Sequence, residues 1–466
     1  MTDLDQIIKA YDIRGIVPDQ VNADLANAVG RAFVEVIEVA TDRGGPGAVV
    51  VGHDMRPSGP ELVDAFAAGA TSVGVDVIRI GLCSTDQLYF ASGTLGLPGA
   101  MFTASHNPAQ YNGIKLCRPG AAPVSAETGL AEVKRRIAAG ELPAPVAVPG
   151  TISDRDMLRD YAAFLRSLVD ISGIRHLKVV VDAGNGMAGY TVPAVLGSEA
   201  GLPQLPITVV PMYFELDGTF PNHEANPIEP ENLRDLQQRV CQTGADLGLA
   251  FDGDADRCFV VDEQGNIVDP SALTAMIAVR ELRREPGATI IHNLITSAAV
   301  PEIIAEHGGT AVRTRVGHSF IKATMGESGA VFGGEHSGHF YFRDFWRADS
   351  GMLAALHTLA ALGSESPGTT LSSLVREFQR YSASGEVNTT VADPSATIAR
   401  VRQTYADREG VSFDELDGLT VRGADWWFNV RPSNTEPLLR LNAEAPDADR
   451  MRRLRDEVLA VIKAGA

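Results

Sequence analysis

Three short apolar runs rich in β-branched residues, each ending in a polar or glycine turn, constrain the fold of this chain most. Ala48-Val49-Val50-Val51 runs into Gly52-His53-Asp54, Val179-Val180-Val181 into Asp182-Ala183-Gly184-Asn185-Gly186, and Ala288-Thr289-Ile290-Ile291 into His292-Asn293. A strand that is apolar at successive positions has no solvent face, so each is expected to be buried on both sides. Helical patterns lie between them: Leu233, Leu236 and Val240 recur at i, i+3 and i+7 on a segment opened by Pro230-Glu231-Asn232. Strands alternating with helices predict doubly wound α/β units, here repeated three times.

A chain of 466 residues is too long for one ordinary core and should divide into three or four domains. Leu142-Pro143-Ala144-Pro145-Val146-Ala147-Val148-Pro149 reads as the first linker. The last part differs. Trp427 to Val430 and Leu438 to Ala443 read as strands flanking a polar loop, and a following helix carries Met451, Leu454, Val458 and Val461 on one face. That pattern predicts a small α+β domain from about Ser382 onward. The expected domains are 1–150, 151–262, 263–381 and 382–466.

A formal net charge of −19 argues against non-specific binding to nucleic acid or membranes, since both need basic patches. It leaves room for a phosphorylated substrate held by a local cluster of cations. No apolar run approaches a bilayer span, and Met1-Thr2-Asp3-Leu4-Asp5 lacks the basic and apolar regions of a signal peptide, so a cytoplasmic protein is expected. Cys83, Cys117, Cys241 and Cys258 form no C-x-x-C pair and read as buried reduced thiols, without disulfide or zinc.

Four segments carry chemistry. Met101-Phe102-Thr103-Ala104-Ser105-His106-Asn107-Pro108 leads from a strand end into a turn, which puts Ser105 on a loop where α/β sheets gather ligands. Asp252-Gly253-Asp254-Ala255-Asp256-Arg257 sets three carboxylates at alternate positions between apolar strands, able to converge on one hard cation. An EF-hand is excluded because Arg257 stands where its loop needs glycine, and the flanks read as strands. The few protein ligands and the adjacent arginine suit Mg²⁺ shared with a phosphate. Gly334-Glu335-His336-Ser337-Gly338-His339 offers a carboxylate and a hydroxyl at i and i+2, suited to neighbouring sugar hydroxyls. Arg431-Pro432-Ser433-Asn434-Thr435-Glu436-Pro437 gathers a guanidinium, two hydroxyls and an amide, a donor set for phosphate oxygens. Gly184-Asn185-Gly186-Met187-Ala188-Gly189 matches a dinucleotide fingerprint, but without a well-placed ribose-binding acid it reads as a tight strand-to-helix turn. A nicotinamide-dependent oxidoreductase is the rival built on that match.

These four segments, in this order, resemble the α-D-phosphohexomutase family, most closely its phosphomannomutase/phosphoglucomutase branch, and the resemblance covers essentially the whole chain. It implies three doubly wound mixed α/β domains around a central cleft plus a smaller C-terminal α+β domain. By the same resemblance Ser105 carries a phosphate, and Ser105, Asp252, Asp254 and Asp256 hold Mg²⁺. Lys115 or His106 acts as general base or positions the reacting groups, and Arg257 neutralises the phosphoryl group in flight. Tyr11 and Arg14 line its approach. Glu335 and Ser337 grip sugar hydroxyls, and His318 contacts the sugar. Arg431, Ser433, Asn434 and Thr435 hold the other phosphate. The implied reaction interconverts mannose or glucose 1-phosphate with the 6-phosphate through a hexose 1,6-bisphosphate, in a monomer or homodimer. The phosphosugar is the one partner expected. Tyr11-Asp12-Ile13-Arg14-Gly15 and Asn434 favour this branch over phosphoglucosamine mutases, while His336 is the commonest residue of neither. Phosphoglucosamine mutase and a non-catalytic phosphosugar-binding protein are the alternatives.

Overall fold

A computed structural model describes residues 4–40, 44–45, 47–432 and 438–464, the side chains of 318 and 319 excepted. The chain forms two compact units, one of residues 1–268 with 337–374, the other of 269–336 with 375–466.

Among the described residues, two sheets lie wholly within the first unit. In one, the strand Ala48–His53 lies between the parallel strands Asp76–Leu82 and Gly99–Phe102. Val49, Val50 and Val51 are all fully buried, as expected of a strand covered on both faces. The helices Ala23–Val36 and Gly59–Ser72 supply one cover, with Phe33, Phe66 and Phe102 in a single core. Beyond Gly99–Phe102 the sheet turns antiparallel, through Tyr111–Arg118 to Ile13–Ile16. At its other edge, past the irregular segment 142–149, Ile152–Asp154 adds a parallel strand against Asp76–Leu82.

The second sheet sets Leu177–Asp182 between the parallel strands Ile207–Met212 and Leu247–Phe251, with Cys258–Asp262 antiparallel beyond. The glycine-rich segment after Leu177–Asp182 is a turn into the helix Ala188–Val195. The helix Arg234–Thr243 buries Leu236 and Val240, the positions its period selects.

The second unit pairs Thr289–Asn293 in parallel with Thr310–Thr314 and Phe332–Gly334. It also holds an antiparallel sheet in the order Ser382–Thr390, Leu438–Ala445, Trp427–Pro432, Leu419–Arg422, Ser412–Asp414. The last helix, Ala448–Lys463, buries Met451, Leu454, Val458 and Ile462. Ile462 takes the place expected of Val461, because the helix keeps a strict i, i+4 step there and turns Val461 to the rim of the core. Cys83, Cys117 and Cys258 are buried free thiols, whereas Cys241, on the outer face of its helix, is exposed and corrects the expectation for that residue. Among the described residues no helix is long and apolar enough to cross a membrane.

Candidate active site

The Ser105 loop joins the antiparallel strands Gly99–Phe102 and Tyr111–Arg118, and the aspartate loop joins Leu247–Phe251 to Cys258–Asp262. Each is a short connection at a strand end, and the fold of the first unit brings the two together. Ser105 Oγ donates to Asp252 Oδ2 at 2.8 Å. Arg257 Nη2 reaches the same oxygen of Ser105 at 3.4 Å and Asp252 Oδ2 at 2.8 Å. His106 Nδ1 lies 3.1 Å from Ser105 Oγ. With Asp252 ionised, the one hydroxyl proton goes to the carboxylate, so His106 Nδ1 donates to the serine oxygen. Both loops hold a non-glycine residue at positive φ, Ser105 at 50° and Ala255 at 61°, a backbone strain on the order of 1–3 kcal/mol each that the surrounding contacts must offset.

Asp252, Asp254 and Asp256 are 0%, 0% and 2% exposed. Their donor oxygens lie within 4.8 Å of one another. Lys115 Nζ sits 2.7 Å from both Asp254 Oδ2 and Asp256 Oδ2, and Thr85 Oγ1 donates to Asp254 at 2.6 Å. Burial alone would raise Asp254, yet the charge and hydrogen bond of Lys115, with Thr85, hold it well below the usual carboxylate range. Burial pushes Asp252 upward against the pull of Arg257, and the charges of Asp256 and Asp254 add to it. Burial also acts against Lys115, but Asp254 and Asp256 outweigh it and keep an ammonium. Burial and the charges of Arg257 and Arg14 keep His106 neutral. Three carboxylates thus face two cations, and Asp254 Oδ1 and Asp256 Oδ1 are buried without a hydrogen-bond partner. Such a hard, oxygen-rich, charge-deficient set fits a divalent cation of the Mg²⁺ type.

Two features of this site had no counterpart in the expectations. The guanidinium of Arg56, fully buried, donates to four backbone carbonyls of the serine loop: Ser105 at 3.0 Å, Asn107 at 2.6 Å, Pro108 at 2.9 Å and Tyr111 at 2.8 Å. Asp54 anchors it, accepting from Arg56 Nε at 3.3 Å and from its backbone N–H at 2.9 Å. His339 pairs backbone to backbone with Arg257, and its Nε2 lies 3.6 Å from Asp256 Oδ1. The second histidine of Gly-Glu-His-Ser-Gly-His was the available signal for it.

The other expected residues are placed as follows. Arg14, on Ile13–Ile16, donates to Asn107 Oδ1 and Asp12 Oδ2, both at 2.6 Å, so it meets the serine loop. Tyr11 precedes that strand, half-buried. Ser337, in the first unit, lies 2.9 Å from His339 Nδ1. Glu335, in the second unit, is buried and accepts from Asn293 Nδ2 and from the Gly317 N–H, each at 3.2 Å. His318 opens the helix His318–Ser328, its side chain outside the described residues. Arg431 is buried in the second unit, donating to Asn442 Oδ1 at 3.0 Å and to Glu386. Ser433, Asn434 and Thr435 lie outside the described residues.

Known proteins resemble this chain along its length. Family models for phosphoglucomutase/phosphomannomutase match along the chain: alpha/beta/alpha domain I over residues 5–143, domain II over 159–265, domain III over 269–381, and the C-terminal domain over 386–461. A phosphomannomutase of Salmonella montevideo is 42% identical over 443 residues, 94% of each chain. A protein of Xanthomonas campestris pv. campestris named for phosphohexose mutases is 42% identical over 440 residues, again 94% of each. The crystal structure of a phosphoglucomutase/phosphomannomutase family protein from Burkholderia thailandensis, 33% identical, superposes with a TM-score of 0.88 over 100% of this chain and 98% of that one. The matched architecture is three α/β domains followed by a C-terminal domain.

Proposed function

The chain belongs to the phosphoglucomutase/phosphomannomutase family, and we propose that it moves a phosphoryl group reversibly between C1 and C6 of mannose or glucose phosphate, with Ser105 as carrier. The phosphoserine gives its phosphoryl group to the free hydroxyl of the hexose 1-phosphate, forming a hexose 1,6-bisphosphate. That intermediate turns over in the site and returns its other phosphate to Ser105, leaving the 6-phosphate. Asp252, Asp254 and Asp256, with an oxygen on Ser105, are the residues that would hold Mg²⁺, which when bound supplies Lewis-acid neutralisation of the phosphoryl charge.

Arg257, already on the serine oxygen, balances the charge of the transferring group. His106 enters as a neutral ring whose Nδ1 proton faces Ser105, so its other nitrogen is the base for the attacking hydroxyl in our reading. Lys115, an ammonium, serves charge neutralisation first. Tyr11 and Arg14 line the approach, and Glu335, Ser337 and His318 hold the sugar. Glucose and mannose present the same 3- and 4-hydroxyls to Glu335 and Ser337, so a site that grips only these tolerates both C2 epimers. Arg431, Ser433, Asn434 and Thr435 hold the phosphate that is not being transferred.

The observation that carries this reading is the 2.8 Å bond from Ser105 to Asp252 under Arg257, within the buried acidic triad. Turnover of mannose 1-phosphate, glucose 1-phosphate and glucosamine 1-phosphate by the wild type and by Ser105→Ala tests it. The first two substrates should be converted and the variant should be inert. Dominant glucosamine activity overturns the sugar assignment, and a working Ser105→Ala overturns the carrier.

A further inference from the structure

The segment 213–226 lies in none of the four chemical motifs, yet it touches the supports of both reacting loops. Gly218 packs so closely on Arg56 and Pro57 that a Cβ there would sit 2.8 Å from Arg56 Cα and 3.0 Å from Pro57 Cδ. The Phe220 ring faces the Arg56 guanidinium at 5.2 Å, and its Cζ lies 3.6 Å from where a Cβ of Gly253 would be. Arg56 holds the serine loop, and Gly253 is the pivot between Asp252 and Asp254. The turn after Leu177–Asp182 braces the same pivot, since the Met187 N–H donates to the Gly253 carbonyl at 2.8 Å.

Tyr213 and Phe220 have φ of 54° and 51°, so the segment needs external restraint to keep its path. Asn185 supplies part of it: its Nδ2 donates to the Glu215 carbonyl at 2.9 Å, and its Oδ1 accepts from Asn222 at 2.8 Å. His223 supplies another part. Its Nε2 lies 2.9 Å from Asp182 Oδ2 and its Nδ1 2.9 Å from the Glu224 carbonyl. A carboxylate and a carbonyl only accept, so both ring nitrogens must carry protons and the ring is an imidazolium.

We propose that His223, held as an imidazolium on Asp182, is a positioning residue that latches segment 213–226 against the supports of the Ser105 and Asp252 loops, so that losing its proton loosens the reacting pair. The groups facing the ring are Asp182 from the strand end, Asp235 from the helix Arg234–Thr243, and Tyr213, whose ring meets the imidazole edge-on at 5.3 Å and whose hydroxyl donates to Asp235. Burial pushes the imidazole down, but the hydrogen bond and charge of Asp182, the Glu224 carbonyl and the charge of Asp235 outweigh it and hold it above its ordinary value. The latch is therefore engaged at low pH and released as pH rises through that raised value.

The rate readout rests on Ser105 as the phosphoryl carrier; the spectroscopic readout does not. In protein labelled with ¹⁵N-histidine, the His223 resonances are assigned by their loss in His223→Gln. They should show two protonated nitrogens at about pH 6 and a titration midpoint above 6.5 that falls in Asp182→Asn. Turnover of glucose 1-phosphate should decline on the alkaline side with that midpoint. In His223→Gln that decline should vanish, with kcat about ten-fold lower at low pH and KM unchanged. If His223→Gln fails to fold, the resonances are assigned by their shift in Asp182→Asn, and a His223 midpoint at or below 6.5 in the wild type overturns the proposal. So does an alkaline decline that persists in His223→Gln while Ser105→Ala is inert. A working Ser105→Ala defeats the carrier assignment instead and leaves the histidine titration standing.

Discussion

Gly253 approaches Ser105 so closely that a Cβ on the glycine would lie 2.4 Å from the serine carbonyl oxygen. No real Cβ contact is that short, and the obstacle is backbone, so any side chain at 253 must push the two loops apart. Gly253→Ala should therefore lower kcat by about a hundred-fold, the scale of a misplacement near 1 Å. Steady-state kinetics beside a thermal melt check this. A melt that collapses together with activity would point to general misfolding instead.

Arg56→Met removes the donors of four loop carbonyls and strands the buried Asp54 carboxylate, which Thr103 and the Arg56 N–H alone would then serve. Breaking a buried pair from one side should destabilise the first unit by about 3–5 kcal/mol. Urea unfolding measures this, and Asp54→Asn placed on top should recover part of the loss. A double variant weaker than the sum of the single ones contradicts the pairing.

The loops were legible because their chemistry is local. Three acids at alternate positions between apolar runs, or a serine ahead of Asn-Pro, announce themselves within six or eight residues. The buried valine runs were legible for the same reason. Arg56 was not, because its partners are backbone carbonyls roughly fifty positions away, and a carbonyl leaves no mark in residue type. Thr85, His339 and the His223–Asp182 pair share that obstacle: only tertiary folding creates their contacts. Val461 and Cys241 show a finer limit, since period and residue type locate a helix face but not the side on which its rim falls.

Asp86 is fully buried and accepts from the hydroxyls of Ser84, Tyr161 and Ser350. Burial lifts its carboxyl from 3.8 to about 6, with the hydroxyls pulling the other way. The folded state then binds a proton that the unfolded chain has already released, so this group's contribution falls as pH rises through that window, by about 3 kcal/mol. Asp86→Asn keeps the shape, because hydroxyls can accept as well as donate. Its stability relative to wild type should rise between about pH 4 and 6. Chemical denaturation at several pH values decides it, and a constant difference contradicts the assignment.

Asp254 accepts from the Lys115 ammonium and from the Thr85 hydroxyl, and has one buried oxygen without a partner. Asp254→Asn should weaken Mg²⁺ binding by at least about ten-fold in isothermal titration, whereas Cys241→Ser, on an exposed face, should leave it unchanged. Equal Mg²⁺ affinity in Asp254→Asn and the wild type would remove the triad as the cation site.

The central claim is that Ser105 lends and reclaims a phosphoryl group. Intact-mass measurement of the purified protein, after incubation with glucose 1,6-bisphosphate and Mg²⁺, tests it most directly. Wild type should gain the mass of a single phosphoryl group, located by fragmentation to Ser105 and lost when hexose phosphate is added, while Ser105→Ala gains none. A wild-type mass that never changes, or a phosphate that stays in Ser105→Ala, contradicts the account.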